Sequence, residues 1–262
     1  MSVWKLITDL ERKNEAGVLC TIIHSQGSTP RHAGSKMLVY ADGTIFGSVG
    51  GGELEGRTID AALESLRDGK PRRLQYNMVD PNQGDPGVCG GQVEVYVEPI
   101  IPKPTLIIVG AGHVGKEVAH LADWLDFRVV VSDDRVEFCD PELIPDADEF
   151  LPIPFEELTE KIEITPWTYL VLTTRSVDVD VPGLPMVLDS PAAYIGVIGS
   201  KRRWETTRAQ LEKQGISKEK IDRVQSPMGI DIHAETPEEI AVSIMAELIR
   251  IRRGEEKSEF AI

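Results

Sequence analysis

The sequence predicts an α/β protein in two parts, an N-terminal α+β domain followed by a doubly wound parallel-sheet domain. Three observations carry that reading. An apolar run at residues 106–109 feeds a glycine turn, Gly110-Ala111-Gly112-His113-Val114-Gly115, and then a helical pattern with Val114, Val118, Leu121, Ala122 and Leu125 on one face. Further continuous apolar runs at residues 129–131, 169–172 and 194–198 suit parallel strands covered on both faces. Before the proline-punctuated stretch 99–104 the pattern differs, with a hairpin signal and alternating strands.

Each part of the glycine turn has a physical reason. Gly110 allows the sharp turn, Gly112 lets a pyrophosphate approach the backbone, and Gly115 lets the helix pack close to the strand. Free N–H groups and the helix dipole favour an anion there. His113, at a variable position of the turn, is free to face the ligand. Asp133 ends the next apolar run, about 20 residues on, where an acid hydrogen-bonds a ribose hydroxyl. This is a Rossmann-like, nucleotide-binding pattern. The alternative is a unit of the same shape whose turn holds nothing or another ligand, since fold does not fix ligand.

A chain of 262 residues is too long for one small domain and comfortable for two. Its 41% hydrophobic and 27% charged residues mark an ordinary globular composition. A formal charge of -15 repels phosphate backbones and anionic lipid, which disfavours nucleic-acid and membrane partners. The opening Met-Ser-Val-Trp-Lys stretch has no apolar signal core, and no run approaches a membrane span. Cys20, Cys89 and Cys139 form no CxxC pair, so a disulfide framework or zinc ribbon is not expected and a cytoplasmic location is.

The expected domains are residues 1–98, a linker at 99–104, and residues 105–262. In the first, residues 3–13 read as a short amphipathic helix and 18–23 as a buried strand. A polar loop from His24 to Gly34 precedes a strand at 37–40. Asp42-Gly43 turns it into a return strand at 44–46. Gly50-Gly51-Gly52 then opens a helix with a stripe of Ile59, Ala62, Leu63 and Leu66, stopped at Gly69. Three glycines before a helix make a concave anion site or a tight crossover. A strand at 72–76 and another at 92–98 flank a long turn-rich loop, 77–91. Loops of that length are often functional.

In the second domain, a short strand is expected near 149–151 and a short helix over 155–161. Pro182 and Pro185 argue against a full helix after the strand at 169–173. Ser200 is placed as the cap of a helix that ends near Gly215. The last long helix starts at Thr236-Pro237-Glu238-Glu239, a capping box, with Ile240, Ile244, Leu248 and Ile251 as its stripe.

Few side chains suggest chemistry on their own. Cys89 sits beside Gly90 and Gly91, where backbone N–H groups stabilise a thiolate able to ligate a soft metal or carry sulfur, or else it is a small plug in a turn. Cys20 reads as inert core. His24 and His32 flank the loop that carries Ser28 and Arg31, but no third zinc ligand has the right spacing. Arg31 is the candidate for an anionic ligand. Neither a nucleophile–base pair nor a P-loop is visible.

These residues, in this order, resemble the XdhC/CoxI family, accessory proteins of molybdenum hydroxylases such as xanthine dehydrogenase. In the first domain the resemblance rests on Gly27-Ser28-Thr29-Pro30-Arg31, Gly34-Ser35-Lys36-Met37, the run from Gly47 through Gly50-Gly51-Gly52 to Glu55, and Cys89-Gly90-Gly91. In the second it rests on the glycine turn, Asp133-Asp134-Arg135, the run from Tyr194 to Ser200, and Glu235-Thr236-Pro237-Glu238-Glu239. The resemblance implies a cytoplasmic maturation factor that binds molybdenum cofactor transiently and helps add its sulfido ligand. Sulfur would come from a cysteine desulfurase, the cofactor would pass to the apo-hydroxylase, and the protein would be a homodimer. It gives Cys89 weight as the sulfur or cofactor contact. Ser28, Arg31, Gly50, Gly51, Gly52 and Gly90 would form a cofactor cradle. Gly110, Gly112, His113, Gly115, Asp133 and Ser200 would hold NAD(P), another nucleotide, or the nucleotide-like part of a cofactor.

The chain also departs from the family. Many members follow the strand ending at Thr174-Arg175 with Gly-His and an acid, whereas this chain has Ser176-Val177-Asp178. Many carry glycine where His233 stands. An NAD(P)-dependent oxidoreductase and a nucleotide-sensing regulatory module stand as alternatives.

Overall fold

The computed structural model describes residues 2–77 and 91–254. Cys89, Gly90 and most of the 77–91 loop lie outside the described residues. Two compact units divide the chain, Met1–Pro102 and Lys103–Ile262.

Unit 1 is an antiparallel sheet in the order β3-β2-β1-β5-β4. Its strands are β1 (Gly17–Gln26), β2 (Lys36–Tyr40), β3 (Ile45–Gly47), β4 (Arg72–Asn77) and β5 (Gln92–Ile100). Side chains alternate across it. Val18, Cys20, Ile22, Met37, Val39, Val93, Val95 and Val97 pack under α2 (Gly52–Asp68). Leu38 faces the opposite side, against Leu6 and Leu10 of α1 (Val3–Lys13). The α2 stripe is centred one position from expectation, on Leu54, Thr58, Ala61, Ala62 and Ser65. β5 continues through Pro99, opposite Val18, into the stretch expected as linker. Proline is tolerated there because β4 pairs β5 only as far as Val97, which leaves an edge.

Unit 2 is a parallel sheet in the order β11-β10-β9-β6-β7-β8. The strands are β6 (Thr105–Val109), β7 (Arg128–Ser132), β8 (Glu149–Leu151), β9 (Thr168–Leu172), β10 (Tyr194–Val197) and β11 (Val224–Gln225). Counted from β6, that is the order 3-2-1-4-5-6, with the direction of winding reversing between β6 and β9. Leu106 and Ile108 face α3 (His113–Trp124) and α8 (Pro237–Arg253). Ile107 and Val109 face the opposite layer. That layer holds α4 (Leu158–Lys161), α5 (Val177–Val187), α6 (Lys201–Lys213) and α7 (Lys218–Ile221).

The prolines do not prevent α5. Pro182 and Pro185 lie inside an 11-residue helix. An interior proline costs about 3 kcal/mol, and burial of Val181, Leu184 and Val187 offsets it. Pro182 faces solvent, while Gly183 leaves room for the Phe155 ring, which any Cβ there would strike. The caps of α6 and α8 form as expected, at Ser200 and as the Thr236–Glu239 capping box. The α8 stripe follows Ala241, Ile244, Met245 and Leu248, whereas Ile251 is exposed. Buried Glu247 fixes this helix by accepting from the Tyr194 hydroxyl at 2.6 Å and the Gly229 N–H at 2.8 Å.

Candidate functional site

Three separated segments meet in unit 1. Gly50 lies against Pro30, where a Cβ would come within 2.8 Å of the proline Cγ. Gly91 abuts the same loop, and a Cβ there would strike the Ser28 carbonyl and come 2.6 Å from Thr29 Cγ2. So the Ser28–Arg31 loop, the glycine triplet and the chain just past Cys89 and Gly90 converge. Gly51 caps α2 at φ 78, with no side-chain cap, and a Cβ on Gly51 or Gly52 would enter open space. The Ser48 hydroxyl donates to Glu55 at 2.6 Å and accepts from the Gly50 N–H at 3.0 Å, bracing the turn from below. Thr29 Oγ1 is buried with no partner among the described residues. Ser28 and Arg31 are exposed, and Arg31 forms no ion pair among those residues. Away from this cluster, burial pushes the Cys20 thiol up to about 12, so it stays protonated and inert.

The glycine turn of unit 2 is clasped more tightly. Gly110 takes φ +109 at the tip of β6, where a Cβ would sit 2.6 Å from the Thr173 carbonyl at the tip of β9. A Cβ on Gly115 would collide with the Gly110 carbonyl, to which the Thr173 hydroxyl donates at 2.5 Å. Gly112 is different: it caps α3 without a side-chain hydrogen bond, and nothing lies within 4 Å of where its Cβ would be. His113 is exposed beside it. The local sequence logic therefore holds: two glycines admit protein atoms and one leaves space.

Asp133 does not face that space. Its carboxylate turns inward, accepting from the Ala111 N–H at 2.9 Å and from the Arg135 N–H, Nε and Nη2 at 3.0, 2.9 and 2.8 Å. Those four donors fill its ordinary lone-pair capacity. Its side chain is 2% exposed. The residue expected to hold a ribose thus ties the glycine turn to the end of β7. Ser200 Oγ likewise accepts the Arg203 N–H at 3.3 Å as a helix cap.

A cleft of about 380 Å³ opens where the sheet reverses direction. Its walls come from the tips of β6, β7 and β9, the segment after β8, and the first turn of α5. This is where open α/β sheets bind ligands, beyond the carboxyl ends of the strands. Gly110 and Asp133, both named from the sequence, are among its lining residues, and the ion pair that shapes it was not foreseen. Asp134 and Arg175 form a two-pronged ion pair at 2.6 and 2.7 Å, bridging the tips of β7 and β9. That pairing holds the Asp134 carboxyl down to about 2. Behind the cleft, Arg203 donates to the Thr174 carbonyl at 2.9 Å, the Thr174 hydroxyl at 2.7 Å and Asp180 at 2.6 Å. Asp180 is wholly buried. One signal for these residues was present: Arg175 follows an all-apolar strand, at the end where ligands bind.

Among the described residues no His, Cys, Asp and Glu cluster suits a metal ion, and no helix is long and apolar enough to cross a membrane. Comparison with known proteins gives two matches along the chain. The XdhC and CoxI family matches residues 10–77, and the XdhC Rossmann domain matches residues 106–248. An uncharacterized protein YqeB of Escherichia coli (strain K12) is 34% identical over 97% of this chain and 47% of its own length. A probable xanthine dehydrogenase subunit of Bacillus subtilis (strain 168) is 34% identical over 61% of this chain and 46% of its own. The chain spans about half the length of those two relatives. The molybdenum cofactor insertion chaperone PaoD of Escherichia coli (strain K12) is 22% identical over 93% of this chain and 86% of its own. A crystal structure of a xanthine dehydrogenase from Bacillus halodurans shares 26% identity, covers 99% of this chain and 98% of its own, and has a TM-score of 0.53. With both units matched in order, the chain belongs to the XdhC and CoxI family.

Proposed function

We propose that this protein is an accessory factor for a molybdenum hydroxylase. It binds molybdenum cofactor, assists its sulfuration and passes it to the apoenzyme. Family membership supports the class of function. The observation that carries the site is the convergence in unit 1 of the Ser28–Arg31 loop, Gly50–Gly52 and Gly91.

The residues there fit a phosphate-bearing pterin. The Thr29 hydroxyl, without a partner among the described residues, the exposed Arg31 guanidinium and the uncapped start of α2 all favour an anionic or acceptor-rich ligand. In this reading Gly50, Gly51 and Gly52 admit the ligand to the backbone, with Ser28, Thr29 and Arg31 at its polar edge. Cys89 and Gly90 are tethered to Gly91 by the chain, and Cys89 supplies the thiol that touches molybdenum or carries sulfur. The cofactor itself supplies the molybdenum centre that the hydroxylase uses. A cysteine desulfurase as sulfur donor, a homodimer and a cytoplasmic site of action belong to the same proposal.

A second ligand is favoured by a separate observation, the cleft of about 380 Å³ in unit 2. We assign it to NAD(P) or a related nucleotide, with the phosphates at Gly110, Gly112 and the start of α3 beside His113. Gly115 and Asp133 hold the turn in shape, and Ser200 caps α6 nearby in sequence to Arg203. Nucleotide there makes unit 2 a sensor or an oxidoreductase module alongside the cofactor site.

The test is co-elution of molybdenum cofactor with the purified protein on gel filtration, read by fluorescence of the oxidised pterin. Wild type retains the cofactor, while Cys89→Ser and Arg31→Ala lose it. Absence of retention by folded wild type, together with nucleotide binding that Gly112→Val abolishes, overturns the cofactor reading in favour of a nucleotide-dependent enzyme or sensor.

A further inference from the structure

We infer that the cleft of unit 2 receives a nucleoside with a free 2′,3′-diol, that Asp134 rather than Asp133 accepts that diol, and that a 2′-phosphate is excluded. The inference rests on the assignment of this cleft to a nucleotide.

Size comes first. Small-molecule sites run from roughly 300 to 1,000 Å³, and about 380 Å³ is room for one nucleoside. The rest of a dinucleotide would follow the open side of Gly112, where nothing lies within 4 Å of the Cβ position.

Charge comes second. The charged residues lining the cleft are Asp133, Asp134, Glu156 and Asp178 against Arg135 and Arg175, with the Asp133 carboxylate turned inward onto Arg135. Both cations are already engaged. Arg135 is bonded to Asp133 and lies 3.8 Å over the Phe138 ring. Arg175 is held by both oxygens of Asp134. Among the described lining residues neither cation is left over for a further dianion, and the remaining carboxylates repel one. NADP-binding Rossmann units place an arginine near the second strand's tip for the 2′-phosphate. Here the arginine in that region, Arg135, is turned back onto Asp133.

Hydrogen-bond capacity comes third. Asp133 is filled by four donors, whereas among the described residues each Asp134 oxygen accepts one hydrogen bond, from Arg175, and keeps a second lone pair. The Asp134 side chain is 35% exposed, so those lone pairs are open to a ligand. Arg175 fixes the carboxylate in place and keeps it ionised, which makes it a prepared acceptor for two adjacent hydroxyls.

NAD⁺ and NADP⁺ differ by the 2′-phosphate alone, so they are the probes. Isothermal titration calorimetry on the full chain gives NAD⁺ the tighter binding by at least about tenfold. Asp134→Ser removes the acceptor and releases Arg175, so NAD⁺ weakens about tenfold and NADP⁺ tightens, narrowing or inverting the preference. Gly112→Val places a side chain in open space, leaves the fold intact and weakens both probes together. Equal or tighter binding of NADP⁺ by wild type overturns the diol inference while leaving the nucleotide assignment standing. An unchanged preference in Asp134→Ser overturns the role of Asp134. Binding of neither probe by folded wild type overturns both the inference and the assignment of the cleft to NAD(P), and leaves the cofactor site of unit 1 to its own test.

Discussion

The molecule opens two helices on glycine turns, and the two turns are built differently. At α3, protein atoms clasp the turn: the Thr173 carbonyl meets Gly110, the Gly110 carbonyl meets Gly115, and Asp133 holds the Ala111 N–H. Only Gly112 is left open. At α2, Gly50 alone is pressed by a neighbour, Pro30, while Gly51 and Gly52 face open space at φ 78 and 60. One turn is rigid because its own fold fills it. The other is held mainly by backbone conformation and by the Ser48 hydroxyl, bonded to Glu55 and to the Gly50 N–H. A ligand at α3 meets a finished shape, whereas a ligand at α2 supplies much of its own surroundings. That contrast is in keeping with the proposal of a selective nucleotide cleft in unit 2 and a transiently held cofactor in unit 1.

The sharpest way to break this comparison is to remove the support behind each turn. Arg203→Ala strands the buried Asp180 carboxylate behind the Thr174 tip. Loss of one partner of a buried pair costs about 3–5 kcal/mol. Glu55→Ala behind the other turn costs about 1 kcal/mol, the worth of an ordinary hydrogen bond. Urea unfolding of both variants gives the ranking, and equal losses would erase the distinction.

Alanine in place of each glycine gives a finer scale. Gly115→Ala forces a Cβ into the Gly110 carbonyl and destabilises by about 1–3 kcal/mol. Gly51→Ala meets no atoms but keeps φ 78 with ψ -178, a backbone region open essentially to glycine alone, at about 1–3 kcal/mol. Gly112→Ala has neither penalty, and its stability stays within about 0.5 kcal/mol of wild type. Unfolding midpoints that put Gly112→Ala beside Gly115→Ala would mean the α3 turn has no open position.

The smallest effect is a pH dependence. Arg175 lowers the Asp134 pKa to about 2, below the roughly 3.9 of an unfolded aspartate. The pair therefore stabilises the fold above pH ~4, and its contribution is lost as pH falls through the folded pKa. Melting temperatures of wild type and Asp134→Asn should converge across that acid range. A gap that stays constant would show that the pair contributes nothing through its charge.

Features set by neighbours in sequence were legible. The Thr236 capping box, the Ser200 cap, the left-handed stop at Gly69 and the turn from Gly110 to Gly115 each depend on residues within a few positions. Features set across the sheet were not. Asp134 meets Arg175 from 41 positions away, and Arg203 reaches Thr174 from 29. Spacing alone placed Asp133 at the ribose, because the pattern records where an acid stands and not which donors surround it. The α5 helix escaped for a related reason. Pro182 and Pro185 speak against it locally, and only the packed layer of Phe155, Leu184 and Val187 decides in its favour. In unit 1 the loop at Ser28–Arg31 and the glycine opening of α2 at Gly50–Gly52 were readable as local structure, but their meeting with Gly91 depends on the order of β1 and β5 in the sheet.

The attachment of α8 bears on how the protein is made. Its apolar stripe completes the layer that covers Leu106, Ile108 and α3, and Glu247 locks it to Tyr194 and Gly229. During synthesis the glycine turn and α3 emerge long before this covering helix, the last of the described elements of unit 2. The growing chain therefore carries an uncovered apolar face through most of the translation of unit 2, and that is the interval in which a ribosome-bound chaperone has something to hold.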